Sequence, residues 1–432
     1  MTPTERLLAL WDYLGIGAAH VATQMPGDIA GLAAGFGSRL AGVVLCVPTR
    51  LDPLAFGALP KRLLMICGDG GLTADVTARA EALLPGSRRM VLAGYDAPGW
   101  ADAVADRTDE IVQAMSGFLR NINADVPTSP AREGNHAGIS YRIEGAGPAL
   151  VLLPFFLAPS QWSPAVERLA RQFTVITLGG AHLGGVATLE DRARAPTYQA
   201  MFRTLIDLLA PKPGEAILDV GCGAGSLDRL LAARLGRANP ITAIDTNGFL
   251  LREAEALAKA DGLDGLIRFT PGNAEALPFT DASFDCIFSV TVLEECDADR
   301  ALAEMMRVAR PGGRIGVIVR SIDLPQWWSV DVPEALRQRA VTPPQSVGAK
   351  GVADASLYRR VRQAGLRDLT CFPALVTLDR PEGPIWRYRE DHLTAQLSPP
   401  ELAAWQAARS AATDQDLLFM AHPMHCVVGR KP

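Results

Sequence analysis

A chain of 432 residues with a formal net charge of −5 is too long for one ordinary hydrophobic core and calls for two soluble units. With 48% hydrophobic and 21% charged side chains it is globular in composition, yet no apolar run is long enough to span a bilayer. No Lys/Arg-rich run supplies the basic face that nucleic-acid phosphates demand, so the expected partner is a small molecule, with neither nucleic acid nor membrane. The opening MTPTERLLALWDYLG mixes acids and bases in an amphipathic helical pattern. It lacks the basic start, apolar stretch and small-residue cleavage site of a signal peptide, and a cytoplasmic location is expected. Seven cysteines, Cys46, Cys67, Cys222, Cys286, Cys296, Cys371 and Cys426, stand singly. They form no CxxC pair and no Cys/His cluster of ligand spacing, so reduced cysteines and no metal are expected.

Strand-length apolar runs begin early in the chain, at 19–23, 43–47, 63–67, 90–93, 150–153 and 175–178, with helical segments such as 7–14 and 74–84 between them. That alternation is the rhythm of a mostly parallel sheet covered on both faces. Residues 121–136, NINADVPTSPAREGNH, interrupt it with Pro, Ser, Asn and charge, and read as a surface linker. A second break, EDRARAPT at 190–197, precedes a helical pattern in which Met201, Leu205 and Leu209 share a face. The expected fold is therefore α/β in two tandem domains, 1–190 and 198–432. The second repeats the rhythm at 216–220, 241–244, 267–270, 286–290, 315–319 and 426–429.

Residues 7–48 resemble the helix, nucleophile strand, helix and following strand of an α/β-hydrolase. In that family the turn after the strand reads GxSxG and carries the nucleophilic serine. Here it reads Ala22-Thr23-Gln24-Met25-Pro26, and a carboxamide cannot attack a carbonyl. RLLMICGDGGLT resembles the strand of the family's acid, with Gly70 or Gly71 at its place and Asp69 close by. RRMVLAGYDAPGW resembles the histidine's strand and loop, with Asp96 near that place. No triad survives. Residues 138–180 look like the amino-terminal strands of the same fold, PFFLAPSQW standing as the oxyanion loop, but they follow the other half. The resemblance implies a circularly permuted, catalytically silent domain with a structural or substrate-shaping role.

In the second unit LDVGCGAG, 218–225, lies where a strand ends and a helix begins. Gly221, Gly223 and Gly225 let the backbone turn sharply and a ligand approach closely. Asp245 ends the next strand, where a carboxylate can accept both hydroxyls of a ribose. GNAEALPF at 272–279, SFD at 283–285 and RVARPGGRIGVI at 307–318 follow in order, the last read as a helix stopped by Pro311 and Gly312-Gly313 before a strand. The loop lacks the GxGxxG spacing of dinucleotide sites. The series resembles class I S-adenosylmethionine-dependent methyltransferases, of the subgroup with small-molecule and quinone-pathway enzymes, which implies a Rossmann-like domain with S-adenosyl-L-methionine as cofactor. By that resemblance Asp219 approaches the methionine amino group, Gly221 and Gly223 pack beside the methionine and ribose, and Gly225 belongs to the same cofactor-binding set. Asp245 holds the ribose, Asn273 and Ala274 flank the adenine, and Ser289 belongs to the same cofactor set.

Glu294 and Glu295, in SVTVLEECDAD, depart from the family, which often has histidine at the second position. They offer a general base or an amine holder, or else a solvated acidic turn. His422 and His425 would point to opposite faces of a strand, which speaks against a shared metal, and His425 is a further candidate base. A helical insertion at about 320–416 carries Trp327, Trp328, Tyr358, Phe372, Trp386 and Tyr388. They read either as an aromatic roof over a flat or lipophilic acceptor or as the core of the insertion. The leading expectation is a methyltransferase for a small acceptor, as a monomer or a homo-oligomer. A bifunctional methyltransferase/hydrolase and a cofactor-sensing protein without methyl transfer are the alternatives.

Overall fold

A computed structural model describes residues 1–96, 102–128, 131–155, 158–345, 347–379, 384–394 and 396–432, and the chain divides into two compact units, Met1–Ala187 and Thr188–Pro432. Among the described residues no helix is long and apolar enough to cross a membrane.

The first unit holds eight strands: β1 (Ala19–Thr23), β2 (Leu40–Cys46), β3 (Leu63–Gly68), β4 (Arg88–Leu92), β5 (Glu133–His136), β6 (Ile139–Gly145), β7 (Ala149–Leu152) and β8 (Thr174–Gly179). Because strand side chains alternate between faces, Val43 and Leu45 join one buried cluster while Val44 and Cys46 join the other, so β2 is apolar throughout. The strands lie in the order β4-β3-β2-β1-β7-β8-β6-β5; all neighbours are parallel except β6 with β8 and β5 with β6. Counted from Glu133 with the chain's start joined on behind, that order is 1-2-4-3-5-6-7-8. The segment expected to be a surface linker is exposed for much of its length, but it is pinned. Asp125 N–H donates to Ala18 O at 2.9 Å, Thr128 N–H to Leu14 O at 3.2 Å, and residues 133–136 form the edge strand β5.

The second unit begins within a helix ending at Arg194, followed by the helix Pro196–Leu209. The break expected at 190–197 is therefore mostly helical. Its strands are β9 (Ile217–Val220), β10 (Ile241–Asp245), β11 (Ile267–Pro271), β12 (Phe284–Val290), β13 (Ala309–Arg320), β14 (Trp327–Trp328), β15 (Arg367–Leu378) and β16 (Met420–Arg430). They run in the order β11-β10-β9-β12-β13-β16-β14, with β15 also on β16; β9 to β13 are parallel and β16 is antiparallel. Pro311 and Gly312-Gly313 fall inside β13 rather than ahead of it. From β9 the chain steps outward to β10 and β11, then returns to β12 on the other side. This reversal opens a crevice at the carboxyl ends of β9 and β12.

The insertion has its own core. Trp328 meets Trp386 and Trp405 edge to face, at ring separations of 5.1 and 5.3 Å, with Leu336 and Leu393 in the same cluster. Of the aromatics read as either a roof or the core of the insertion, Trp328 and Trp386 take the second place, because large rings gain more from burial than from lining a solvated crevice.

Candidate functional site

The turn after β9 needs backbone that ordinary residues avoid: Gly221, Gly223 and Gly225 have φ of 88°, 55° and 68°. A Cβ on Gly221 would lie 2.2 Å from Val292 Cγ2, so only glycine lets this loop pack against the one after β12. The loop is fixed against β10. Gly221 and Cys222 N–H both donate to Ile244 O at 2.8 Å, and Gly223 N–H donates to Asp245 Oδ2 at 2.9 Å. Asp245 Oδ1 accepts from Asn247 N–H at 2.8 Å. A carboxylate has about four lone-pair sites, which leaves this one capacity for two further donors. Burial raises the Asp245 carboxyl, and the backbone N–H groups work against that rise.

Asp219, on β9, is buried beside Asp228, which is fully buried on the helix Ser226–Leu235. Burial pushes both carboxyls above the ordinary carboxylate range, the charge of Asp228 adds to the rise at Asp219, and neither Asp228 oxygen has a hydrogen-bond partner. Such a pair welcomes a cation. Asp228 is absent from the sequence reading, although a charged residue on the inner face of the helix after a glycine loop was a usable signal.

Glu190 was also missed. It is buried, and Oε1 accepts from the Ser226 hydroxyl and from Arg229 Nη2, each at 2.5 Å, while Arg229 Nε reaches Asp261 at 2.8 Å. The segment read as the break between the domains thereby latches the helix that follows the glycine loop.

The remaining expected cofactor residues divide. Asn273 is exposed after β11, its Oδ1 accepting from Glu275 N–H at 2.8 Å, whereas Ala274 turns into the core cluster. Ser289 is fully buried and donates its hydroxyl to Val220 O at 2.9 Å. It therefore braces the base of the glycine loop rather than facing a ligand.

In the loop after β12 Glu294 and Glu295 part company. Glu294 is fully buried; Oε1 accepts from Arg320 N–H at 2.7 Å, Oε2 has no hydrogen-bond partner, and burial pushes the carboxyl up to about 7. Glu295 is exposed and pairs with Arg320 Nη2 at 3.1 Å, the solvated reading of the two. His425 is held at both ring nitrogens, Nε2 at 2.7 Å from Asp323 Oδ1 and Nδ1 at 3.0 Å from the Tyr358 hydroxyl. Against the upward push of burial, hydrogen bonds from His425, Ser321 and Ala355 N–H hold Asp323 at about 2. With both nitrogens engaged, His425 is placed as a brace between β16 and the insertion.

In the first unit Gln24 is buried and its Nε2 donates to Val47 O at 3.3 Å, while Pro26 opens the helix Gly27–Gly35. Asp69 accepts from Gly94 and Tyr95 N–H, so the carboxylate nearest the acid position fixes a loop. Phe156 and Leu157 of the expected oxyanion loop, and residues 97–100 of the expected histidine loop, lie outside the described residues.

A parallel sheet reversed at β9, with a glycine loop and a strand-end carboxylate at the switch point, defines a Rossmann-like nucleoside-binding domain. Residues 218–317 match a family model described as a methyltransferase domain, so the second unit carries a methyltransferase domain. The chain is similar to the ubiquinone/menaquinone biosynthesis C-methyltransferase UbiE of Legionella pneumophila (strain Corby), 37% identical over 117 residues, 27% of this chain and 47% of that protein. It is also similar to UbiE of Vibrio cholerae serotype O1 (strain ATCC 39541), 36% identical over 131 residues, 30% of this chain and 50% of that protein. The chain spans about half the length of these curated relatives. A solved S-adenosylmethionine-dependent methyltransferase from Aquifex aeolicus is 19% identical with a TM-score of 0.32, over 42% of this chain and 86% of that one, a likeness too slight to bear on the site.

The residues present fit S-adenosylmethionine. The glycine loop holds a left-handed backbone at the carboxyl end of β9, the Asp219–Asp228 pair suits an ammonium, and Asp245 keeps acceptor capacity for a ribose.

Proposed function

We propose that this chain is an S-adenosylmethionine-dependent methyltransferase acting on a small acceptor. The observation that carries the reading is the Gly221–Gly225 loop, hydrogen-bonded to Asp245 at the point where the sheet order reverses. Asp219, with Asp228 behind it, takes the methionine ammonium; Gly221, Gly223 and Gly225 admit the methionine and ribose; Asp245 accepts the ribose hydroxyls; Asn273 meets the adenine edge. When bound, the cofactor supplies an activated methyl group on a sulfonium, so the protein's share is alignment and exclusion of water. Glu294 adds a proton acceptor. Its Oε2 is free of partners and its carboxyl, raised to about 7, takes a proton near neutral pH more readily than an ordinary glutamate. Similarity to C-methyltransferases favours a carbon acceptor whose proton must be removed.

The first unit, in this reading, is an α/β-hydrolase-type domain, permuted and catalytically silent, spanning about 1–190. Its sheet order, sequential from Glu133 apart from one exchange, supports the permutation, and Gln24 supports the silence. It serves as a structural partner of the methyltransferase, and the protein works in the cytoplasm.

The test is incubation of the full chain with methyl-labelled cofactor and a small-molecule extract. Label recovered in a small molecule is the expected result. Saturable cofactor binding without any labelled product would instead favour a sensor.

A further inference from the structure

A buried positive charge needs a counter-ion, since stripping water from an ion and leaving it unpaired costs several kcal/mol. Arg389, on the helix Pro384–Thr394, is 5% exposed. Its Nη1 donates to Gln326 Oε1 at 2.7 Å, its Nε has no partner, and no carboxylate of the described residues forms an ion pair with it. Burial, with the charge of Arg320 beside it, drags this guanidinium down to about 10. His422 on β16 is buried as well, without a hydrogen-bond partner at either ring nitrogen. Burial, then the charge of Arg389, then those of Arg192 and Arg320, hold it well below its usual value. Arg192 donates Nη1 to the Thr291 hydroxyl at 2.9 Å, lies 5.2 Å over the Tyr198 ring, and has an unpartnered Nε. Arg320 alone is neutralised, by Glu294 and Glu295.

These groups share one end of the sheet. Thr291 follows β12, Arg320 ends β13 and pairs with Met424, and His422 stands near the start of the antiparallel β16. That is the carboxyl end of the parallel strands, where an open α/β sheet takes its ligands. Tyr198 joins the cluster to the rest of the site: its ring lies under Arg192, its buried hydroxyl has no hydrogen-bond partner, and it feels the charges of Arg192, Glu294 and Asp219.

We infer that Arg389, with Arg192 and His422, forms a built site for an anionic group of the methyl acceptor, a carboxylate or a phosphoryl group. The inference rests on the methyltransferase reading. A guanidinium fork matches the oxygens of either group, and a desolvated one gains most from meeting them. Neutral His422 donates one further hydrogen bond. The acceptor is thereby anchored beside Glu294, within reach of the same Tyr198, so its anionic end and its reacting atom face different walls of one crevice.

The experiment is calorimetry on the full chain saturated with S-adenosylhomocysteine, titrated with benzoate and, separately, with phenyl phosphate. One probe should saturate with a Kd at or below about 1 mM, and which one does so assigns carboxylate or phosphoryl. Arg389→Gln should weaken that probe at least about tenfold while S-adenosylhomocysteine affinity stays within about twofold. If Arg389→Gln does not fold, Arg192→Gln at the rim carries the same expectation. Saturation by neither probe, or equal binding by the variants, overturns the inference. So does competition between the anion and S-adenosylhomocysteine, which would give the guanidinium groups to the cofactor's own carboxylate. Failure of the wild-type chain to bind S-adenosylhomocysteine would instead strike the methyltransferase reading.

Discussion

Replacing Glu294 by Gln keeps the shape of the side chain and an oxygen for Arg320 N–H, but removes the ionisable proton. In the folded protein burial lifts this carboxyl from 4.5 to about 7. A raised acid holds its proton in the folded state after the unfolded chain has lost it, so the folded state binds more protons between the two values. Wild-type stability therefore falls as pH rises from about 4.5 to about 7, and levels off above that. At about 1.4 kcal/mol per unit the accumulated loss is about 3 kcal/mol, an order-of-magnitude figure. Glu294→Gln lacks this term. Urea unfolding of both proteins at pH 4.5, 5.5, 6.5 and 7.5 should show the variant gaining on the wild type by roughly that amount across the series. Parallel pH profiles would refute the reasoning and mean that Glu294 is solvated or better paired than its geometry states. If Glu294 is also the base, turnover at pH 7.5 should drop about 10²-fold in the variant, the usual scale for general-base catalysis.

Gly221→Ala places a Cβ 2.2 Å from Val292 in a left-handed backbone; S-adenosylhomocysteine binding should be lost and stability should fall by about 1 to 3 kcal/mol, read by calorimetry and thermal melting. Glu190→Ala strands Arg229 with only Asp261 as a charged partner. About 3 kcal/mol of stability should go with it, whereas a true linker residue would show almost no change in a denaturant titration. Gln24→Ser should not give turnover of p-nitrophenyl acetate, because base, acid and oxyanion donors act as a unit; measurable hydrolysis by either protein would contradict the silent domain.

The cofactor end of the second unit was legible because its demands are local. A strand, three glycines and an aspartate twenty residues on are contiguous signals, and the structure brings Asp219, Gly221, Gly223, Gly225 and Asp245 to one place. Ser289 misled because a strand-end hydroxyl can face the ligand or the neighbouring strand, and only packing decides that it meets Val220. The acceptor end was much less legible. Arg192, Arg389 and His422 come from distant segments, and nothing in their spacing indicates that they converge. Glu294 and Glu295 are adjacent in sequence, yet one is buried and the other solvated, a difference set by the backbone at the end of β12. β15 escaped notice because Arg367–Leu378 buries little of itself and lacks the continuous apolar run of an inner strand.

Calorimetric titration of the full chain with S-adenosylhomocysteine, in the wild type and in Asp245→Ala, tests the central claim most directly. The wild type should bind one equivalent per chain. The variant should bind about 10- to 150-fold more weakly, the equivalent of about 1.5 to 3 kcal/mol for lost hydrogen bonds to a charged group. An absence of saturable binding by the wild type, or unchanged affinity in the variant, would contradict the assignment of the crevice at β9 and β10 as the cofactor site.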